Sequence, residues 1–269
     1  MLNHFIESIL CLPPGIKSRL INRWYQYLTA RYTQCEWTFM NYGYAHVNGE
    51  DKLPLLTKDE ADRYCIQLYH HVVLPANILN KEVLEVGSGR GGGCSYLARY
   101  LKPKSIVGID FSSNAVDLCN RMYSQPNLSF RIGDAMKIPF PNRSFDVVIN
   151  VESSHCYHSM KNFIREVIRV LRPGGFFSWT DIIWKRSIDK INRHFRNSGL
   201  RAIREWDITS SVLHALELNH DEKLNTIQCL TPKFTHKIIR EFAAVKGTRI
   251  YKSLENRKRI YLSKVYQKI

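Results

Sequence analysis

From Glu82 onward two kinds of apolar pattern alternate along the chain. Short apolar runs of strand length stand at 83–86, Ser105–Asp110, Leu128–Ile132, 144–150 and 176–181. Between them, apolar residues recur at helical spacing: Tyr96, Leu97 and Tyr100 after the first run, then 113–123, then 160–171. This alternation predicts a parallel sheet with helices on both faces. Upstream, 14–32 reads as a helix through Trp24, Tyr25, Leu28 and Tyr32, and 58–71 as a second one. Thr57 and Glu60 have the spacing of a capping box for that second helix, whose apolar face would be Ala61, Cys65, Leu68 and Val72. The stretch 37–44 is aromatic without periodicity and reads as a covering loop. After Asp181 the spacing predicts a helix over 185–197 and a strand over 200–206. Helices over 210–218, 232–245 and 247–254 follow, then a strongly alternating strand over 259–267. No linker or internal repeat interrupts the pattern. One domain follows: residues 1–80 as a helical lid segment, and 81–269 as a core with helices inserted at about 208–256.

Composition narrows the class. The 269 residues are 44% hydrophobic, enough for one large α/β domain. Seven scattered cysteines form no C-x-x-C pair, which argues against a zinc ribbon or redox motif and for reduced thiols in a cytoplasmic protein. The apolar stretch 9–12 is too short to span a bilayer. Net charge is +15, and residues 185–269 hold 19 Lys and Arg against 8 Asp and Glu, a net +11. A basic face of that kind attracts nucleic acid or an anionic membrane surface, and it is equally the solvated surface of a basic protein.

Candidate chemistry centres on Gly87, Gly89, Gly91, Gly92 and Gly93, which follow the first strand. Gly87 to Gly92 fits G-x-G-x-x-G, a nucleotide-binding turn also used by dehydrogenases. Asp110 ends the second strand, placed for ribose hydroxyls. Asp134 follows the third, where it can accept from an adenine amino group beside the Ala135 backbone.

Five segments together resemble the class I S-adenosylmethionine-dependent methyltransferases: Leu84-Glu85-Val86-Gly87-Ser88-Gly89-Arg90-Gly91, Gly108-Ile109-Asp110-Phe111-Ser112, Gly133-Asp134-Ala135, Phe145-Asp146-Val147-Val148 and Arg169-Val170-Leu171-Arg172-Pro173-Gly174-Gly175. The resemblance implies a Rossmann-like seven-stranded sheet whose last strand is antiparallel, and S-adenosyl-L-methionine as cofactor. It assigns Glu85, Gly87, Ser88, Gly89, Asp110, Phe111, Asp134, Ala135 and Asn150 to the cofactor. Flanking segments around Phe39–Tyr44, Val151–Tyr157, Asp207–Thr209 and Gly247–Tyr251 look like its small-molecule branch, most like the phthiotriolone/phenolphthiotriolone dimycocerosates methyltransferase type, which O-methylates a lipid-like hydroxyl.

The loop after the fourth strand lies at the sheet's carboxyl edge, where open α/β sheets bind ligands. It crowds Glu152, His155, Tyr157 and His158. His155 is the candidate base, since an imidazole near ~6.5 titrates in the right range. Glu152 would orient it or balance the sulfonium. Tyr42 offers an aromatic face to a sulfonium, and Asn41 and Gln67 are candidate partners of the methionine end. Trp179, Trp184 and Trp206 either line an acceptor pocket or pack the core. Cys94 and Cys156 lack a base partner for nucleophilic work, and no ligand spacing calls for a metal. Three functions stand open at this point: methyl transfer to a small, largely apolar or lipid-like acceptor at a hydroxyl oxygen, methylation of RNA, and non-catalytic cofactor binding.

Overall fold

The computed structural model describes residues 37–49 and 53–269. The helix expected over 14–32 lies outside the described residues. The seven strands are β1 (Glu82–Val86), β2 (Ser105–Asp110), β3 (Leu128–Ile132), β4 (Phe145–Val151), β5 (Leu171–Trp184), β6 (Leu200–Asp207) and β7 (Arg259–Lys268). They form one sheet in the order β3-β2-β1-β4-β5-β7-β6. The first five are parallel, whereas β7 runs antiparallel between β5 and β6. The helices are α1 (Arg63–Val73), α2 (Gly92–Tyr96), α3 (Ser113–Met122), α4 (Met160–Val170) and α5 (Ile188–Arg196), then α6 (Thr209–Leu218), α7 (His220–Leu230), α8 (His236–Phe242) and α9 (Arg249–Glu255).

Period-two alternation in the central strands sends apolar side chains to both faces. Val83, Val147 and Ile149 pack with Ile66, Leu68 and Val72 of α1 in one core cluster. Leu84, Val86 and Val148 pack with Phe163, Val167 and Phe177 in the other. The helix α1 is thus a core layer of the sheet, while the loop 37–45 runs over the carboxyl edge.

Three elements differ from the sequence reading. The expected capping box does not form: the chain enters as a 3-10 turn over Thr57–Asp62, capped by Leu56 without a side-chain bond. Glu60 instead takes both ends of the Arg63 guanidinium, at 2.7 and 2.5 Å, and the tighter winding turns Ala61 out to solvent. Strand β5 begins earlier than expected because Leu171 already pairs with Phe145; Arg172 to Gly175 then bulge out before Phe176 rejoins at Val147. Helix α7 was invisible in the apolar pattern, since Ile227 is its one buried residue.

Candidate active site

The carboxyl ends of β1, β2 and β4 meet at the glycine turn. Gly87 and Ser88 donate to the Ile109 carbonyl at 2.8 and 3.0 Å, and Gly89 donates to Asp110 Oδ2 at 2.9 Å. Gly87 has φ +79°, and a Cβ there would stand 2.4 Å from Ser153 Oγ. Only glycine allows both that backbone and that approach.

Asp110 is buried, with Ser112 N–H on Oδ1 at 2.9 Å. Burial pushes its pKa up to about 6, against the pull of the Ser112 and Gly89 backbone donors. Each oxygen keeps a lone pair for a ligand hydroxyl. Beside it, Phe111 and Ile132 are 59% and 57% exposed, and Asp110 and Ile132 are register partners across β2 and β3. Apolar side chains so exposed beside a buried acid suit the faces of a planar base next to a ribose. Asp134 is exposed and closes an Asx turn onto Met136 N–H at 2.8 Å, with Ala135 buried behind it.

Among the described residues, two buried oxygens at this edge have no hydrogen-bond partner: Ser88 Oγ and Asn150 Oδ1. The Asn150 amide orientation is fixed by Nδ2 donating to the Val86 carbonyl at 2.8 Å and to Ser153 Oγ at 2.6 Å. Orphaned buried polar atoms cost stability unless a ligand satisfies them. The turn, the acid, the exposed apolar pair and these two oxygens therefore fit S-adenosylmethionine.

The remaining expected cofactor residues sit differently. Glu85 is buried on the α1 side of the sheet, with Tyr69 OH on Oε1 at 2.6 Å and the Cys94 thiol on Oε2 at 2.8 Å. Burial pushes its pKa up to about 7, against those two donors. Both Glu85 and Cys94 are thus spent on each other. Asn41 is spent as well: Nδ2 donates to the Cys65 carbonyl at 3.3 Å, and Oδ1 accepts from Gly43 N–H at 2.9 Å. It ties the covering loop to α1. Gln67 is buried on α1 with no hydrogen bond among the described residues. Tyr42 is buried at the edge, its backbone N–H on Glu152 Oε1 at 2.7 Å.

Glu152 leaves β4 with φ +47°, a left-handed conformation that a glutamate adopts only under constraint. That bend directs its carboxylate to two anchors from distant segments, the Tyr42 N–H and the Tyr261 hydroxyl of β7. Burial raises its pKa to about 7 despite both donors. Glu152 therefore fastens the covering loop to the sheet and does not touch His155.

The group that orients His155 is Asp181, to which the apolar pattern assigns only the end of a strand. Thr180 pairs with Val151 in register, so Asp181 sits beside the loop after β4. Its carboxylate is 0% exposed and accepts from four donors: His155 Nδ1 at 2.7 Å, His155 N–H at 2.8 Å, Ser154 Oγ at 2.5 Å and Ile182 N–H at 2.8 Å. Trp179, fully buried in the core, holds the same Ser154 hydroxyl through Nε1 at 2.8 Å. The His155 ring itself is 38% exposed. Desolvation works against its charged form, but the Cys156 thiol and the Asp181 carboxylate outweigh it and hold its pKa well above 6.5. A carboxylate on Nδ1 fixes the tautomer and leaves Nε2 as the proton-accepting nitrogen.

A cavity of about 280 Å³ opens between the covering loop, the start of α1, and helices α7 and α8. Trp37, Phe39, Tyr42, Ile227 and Phe242 are among its walls, with Lys223. Of the other tryptophans, Trp184 lies under the guanidinium of Arg259 and Trp206 under that of Arg204. Among the described residues no group of three His, Cys, Asp or Glu could hold a metal, and no helix is long and apolar enough to cross a membrane.

Comparison with known proteins shows the family. Residues 84–179 match the family model described as a methyltransferase domain. The chain is 38% identical to phthiotriol/phenolphthiotriol dimycocerosates methyltransferase of Mycobacterium leprae, over 86% of both chains. It is also 38% identical to a fatty-acid O-methyltransferase of Mycolicibacterium smegmatis, over 86% of this chain and 83% of that one. Among solved structures, geranyl diphosphate C-methyltransferase from Streptomyces coelicolor superposes with a TM-score of 0.66 at 16% identity, covering 91% of this chain and 98% of that one. The cyclase SpnF superposes at 0.69 with 18% identity, covering 93% and 96%. These last two share the fold, and a cyclase among them shows that the fold alone does not fix the reaction. The glycine turn with its acids and the close relatives together place the chain in the class I S-adenosylmethionine-dependent methyltransferases, in the phthiotriol/phenolphthiotriol dimycocerosates methyltransferase group.

Proposed function

We propose that this enzyme methylates an oxygen of a small, lipid-like acceptor, with His155 as the base. The observation that carries the reading is the contact between His155 Nδ1 and the fully buried Asp181, at 2.7 Å on the carboxyl edge of the sheet. S-adenosylmethionine supplies a methyl group already activated by its sulfonium. The chain's own residues position, exclude water and move a proton. The turn at Gly87 and Gly89, Asp110, Phe111, Ser88 and Asn150 hold the cofactor, and Glu152 with Tyr42 closes the loop above the edge. His155 Nε2 takes the hydroxyl proton, and the buried carboxylate stabilises the resulting imidazolium. Because the His155 pKa is raised, the neutral base grows in as pH rises through that value.

Relatives that act, by name, on phthiotriol dimycocerosates and on fatty acids support a lipid-like acceptor, as do the apolar walls of the cavity. The excess of basic residues after Lys185 supports contact with an anionic membrane surface as the route to such an acceptor. Among the described residues Cys65, Cys94, Cys119, Cys156 and Cys229 form no disulfide, which supports a cytoplasmic location. RNA as the acceptor is the weaker reading, because several basic side chains of the last third are already engaged: Arg257 on Asp207, Lys264 on Glu205 and Lys268 on backbone carbonyls.

The test is methylation with labelled S-adenosylmethionine against hydroxylated lipids, phenols, fatty acids and RNA. Label is expected in the lipid fraction and lost in His155→Ala. Label in RNA or protein alone would overturn the reading.

A further inference from the structure

Two short turns meet at the carboxyl edge of the sheet. Residues 184–187 lead from β5 to α5, and 256–259 join α9 to β7. The first residue of β7 pairs with the last of β5, Arg259 with Trp184, and Lys185 N–H donates to the Lys258 carbonyl at 3.0 Å. Together the two turns hold Lys185, Arg186, Arg257, Lys258 and Arg259 and no acid. Trp184, Lys185, Arg186 and Lys258 are exposed, Trp184 by 40%. Two guanidiniums lie over the Trp184 ring, Arg259 at 4.3 Å and Arg186 at 5.0 Å from its centroid.

Among the described residues Asp207 pairs with Arg257 at 2.9 Å, and no carboxylate pairs with the other four cations. The charge of Glu241 reaches Arg259, but its carboxylate is spent on the Arg249 and Ile250 N–H groups, at 3.1 and 2.8 Å. The buried Arg259 Nε has no hydrogen-bond partner among the described residues. Guanidiniums crowded on one ring repel each other, and a phosphate beside them relieves the repulsion and takes up their N–H donors. The place of this rim on the fold adds a second constraint. Trp184 stands three residues beyond Asp181 on β5, so the rim lies about 10 Å further out than the carboxylate that holds His155. An exposed indole among lysines and arginines suits the boundary between lipid headgroups and water.

We propose that this rim seats the enzyme on the phosphate groups of an anionic membrane, with Trp184 at headgroup level and the carboxyl edge of the sheet facing the bilayer. This rests on the reading of the protein as a methyltransferase for lipid-like acceptors, and it adds which face meets the membrane. His155 then lies about 10 Å from the headgroups, so an acceptor reaches it by partial withdrawal from the bilayer. Nucleic acid fits the rim less well. Single strands are held by several aromatic platforms in a row, and the one ring here already carries two guanidiniums.

The experiment is cosedimentation of the full chain with vesicles of phosphatidylglycerol and phosphatidylcholine in equal parts, and with phosphatidylcholine alone, beside fluorescence anisotropy with labelled oligouridylate. The proteins are wild type, the rim pair Lys185→Gln with Lys258→Gln, and the pair Lys81→Gln with Lys102→Gln. The last two positions are exposed at the amino edge of the sheet and change the net charge equally. Wild type is expected on the anionic vesicles and not on phosphatidylcholine alone. The rim pair lowers that partition about 25-fold, or about fivefold per cation. The amino-edge pair stays within about twofold of wild type, since its charges lie beyond the screening length from the membrane. An equal loss in both pairs, no binding to anionic vesicles, or rim-dependent binding of oligouridylate without vesicle binding overturns the proposal. Because binding is read without turnover, rim-dependent vesicle binding by a protein that methylates no lipid sinks the functional reading alone. Methylation of detergent-dispersed lipid without rim-dependent vesicle binding sinks this inference alone.

Discussion

Replacing Asp181 by Asn tests the proton-transfer centre, because the structure limits what the amide can do. The carboxylate accepts from Ser154 Oγ and His155 N–H on Oδ2, and from His155 Nδ1 and Ile182 N–H on Oδ1. An Asn must place its NH2 at one of those two oxygen positions. At the Oδ1 position, His155 can adapt by moving its proton to Nε2, but the Ile182 N–H then faces another donor. At the Oδ2 position, the Ser154 hydroxyl can rotate to accept, but the His155 N–H is orphaned. Either way one buried backbone donor loses its partner, worth ~1–3 kcal/mol of stability. For a domain of this size that is a fall in Tm of roughly 2–4 °C per kcal/mol.

The catalytic effect separates from the structural one by its pH dependence. Without the carboxylate, the His155 pKa falls from its raised position toward the ordinary value, so the rising limb of kcat/KM moves to lower pH. The plateau drops by about 10²–10⁴, the scale of a lost general base, because the ring is left in the wrong tautomer or without its counter-charge. The measurement is kcat/KM against pH for wild type and Asp181→Asn, with thermal unfolding alongside. A variant that loses stability but keeps both the limb and the plateau would refute the assignment of His155 as the base.

Two further outcomes follow from groups elsewhere at the sheet edge. Phe111→Ala removes a ring that is more than half exposed, so Tm should change little, the equivalent of about 0.5 kcal/mol or less. S-adenosylmethionine should nevertheless bind roughly tenfold more weakly by equilibrium dialysis, the lower end of base-stacking energies; equal binding would remove Phe111 from the base site. Glu85, Asp110 and Glu152 all have pKa values raised by burial, to about 7, 6 and 7. The stability tied to these raised values is fully present below the ordinary carboxylate range and is lost as pH rises through the folded values, on the order of 1 kcal/mol per group per pH unit in that window. Tm of the cofactor-free protein should therefore fall between about pH 5 and pH 7, and Glu152→Gln should flatten part of the fall. A Tm that climbs across this range would contradict the burial of these acids.

Much of the cofactor wall was legible in the sequence because its signals are local. A strand of five residues, a glycine where no Cβ fits and an acid at the end of the next strand are read within some thirty positions. The base centre was half legible. His155 lies in a loop whose place is set by the strand before it, but its partner Asp181 is brought alongside only by the pairing of Val151 with Thr180. Asn41 shows the opposite limit: a polar residue in a covering loop reads as a ligand group, and only the fold reveals that Gly43 and Cys65 already occupy its amide. Lys223 was hidden for a third reason. Its helix buries a single residue, so hydrophobic periodicity carries no trace of the cavity it lines.

The position of β7 between β5 and β6 bears on how the enzyme is made. Among the described residues neither β6 nor the outer side of β5 has another strand to pair with, and β7 is reached only after α5, β6 and α6 to α9 have been laid down. Closing so long a loop is entropically costly and slow. The wall built from β1 to β4 can assemble early, whereas the Tyr261 hydroxyl that fixes Glu152 arrives with β7. Until then β5 presents a bare, strongly apolar edge of the kind that recruits other chains. Competence to hold the cofactor is thus expected to precede competence to use it during synthesis. Substitutions in the buried run of β7 other than Tyr261 should appear first as poor yield and aggregation, with the kinetics of the molecules that do fold left nearly intact.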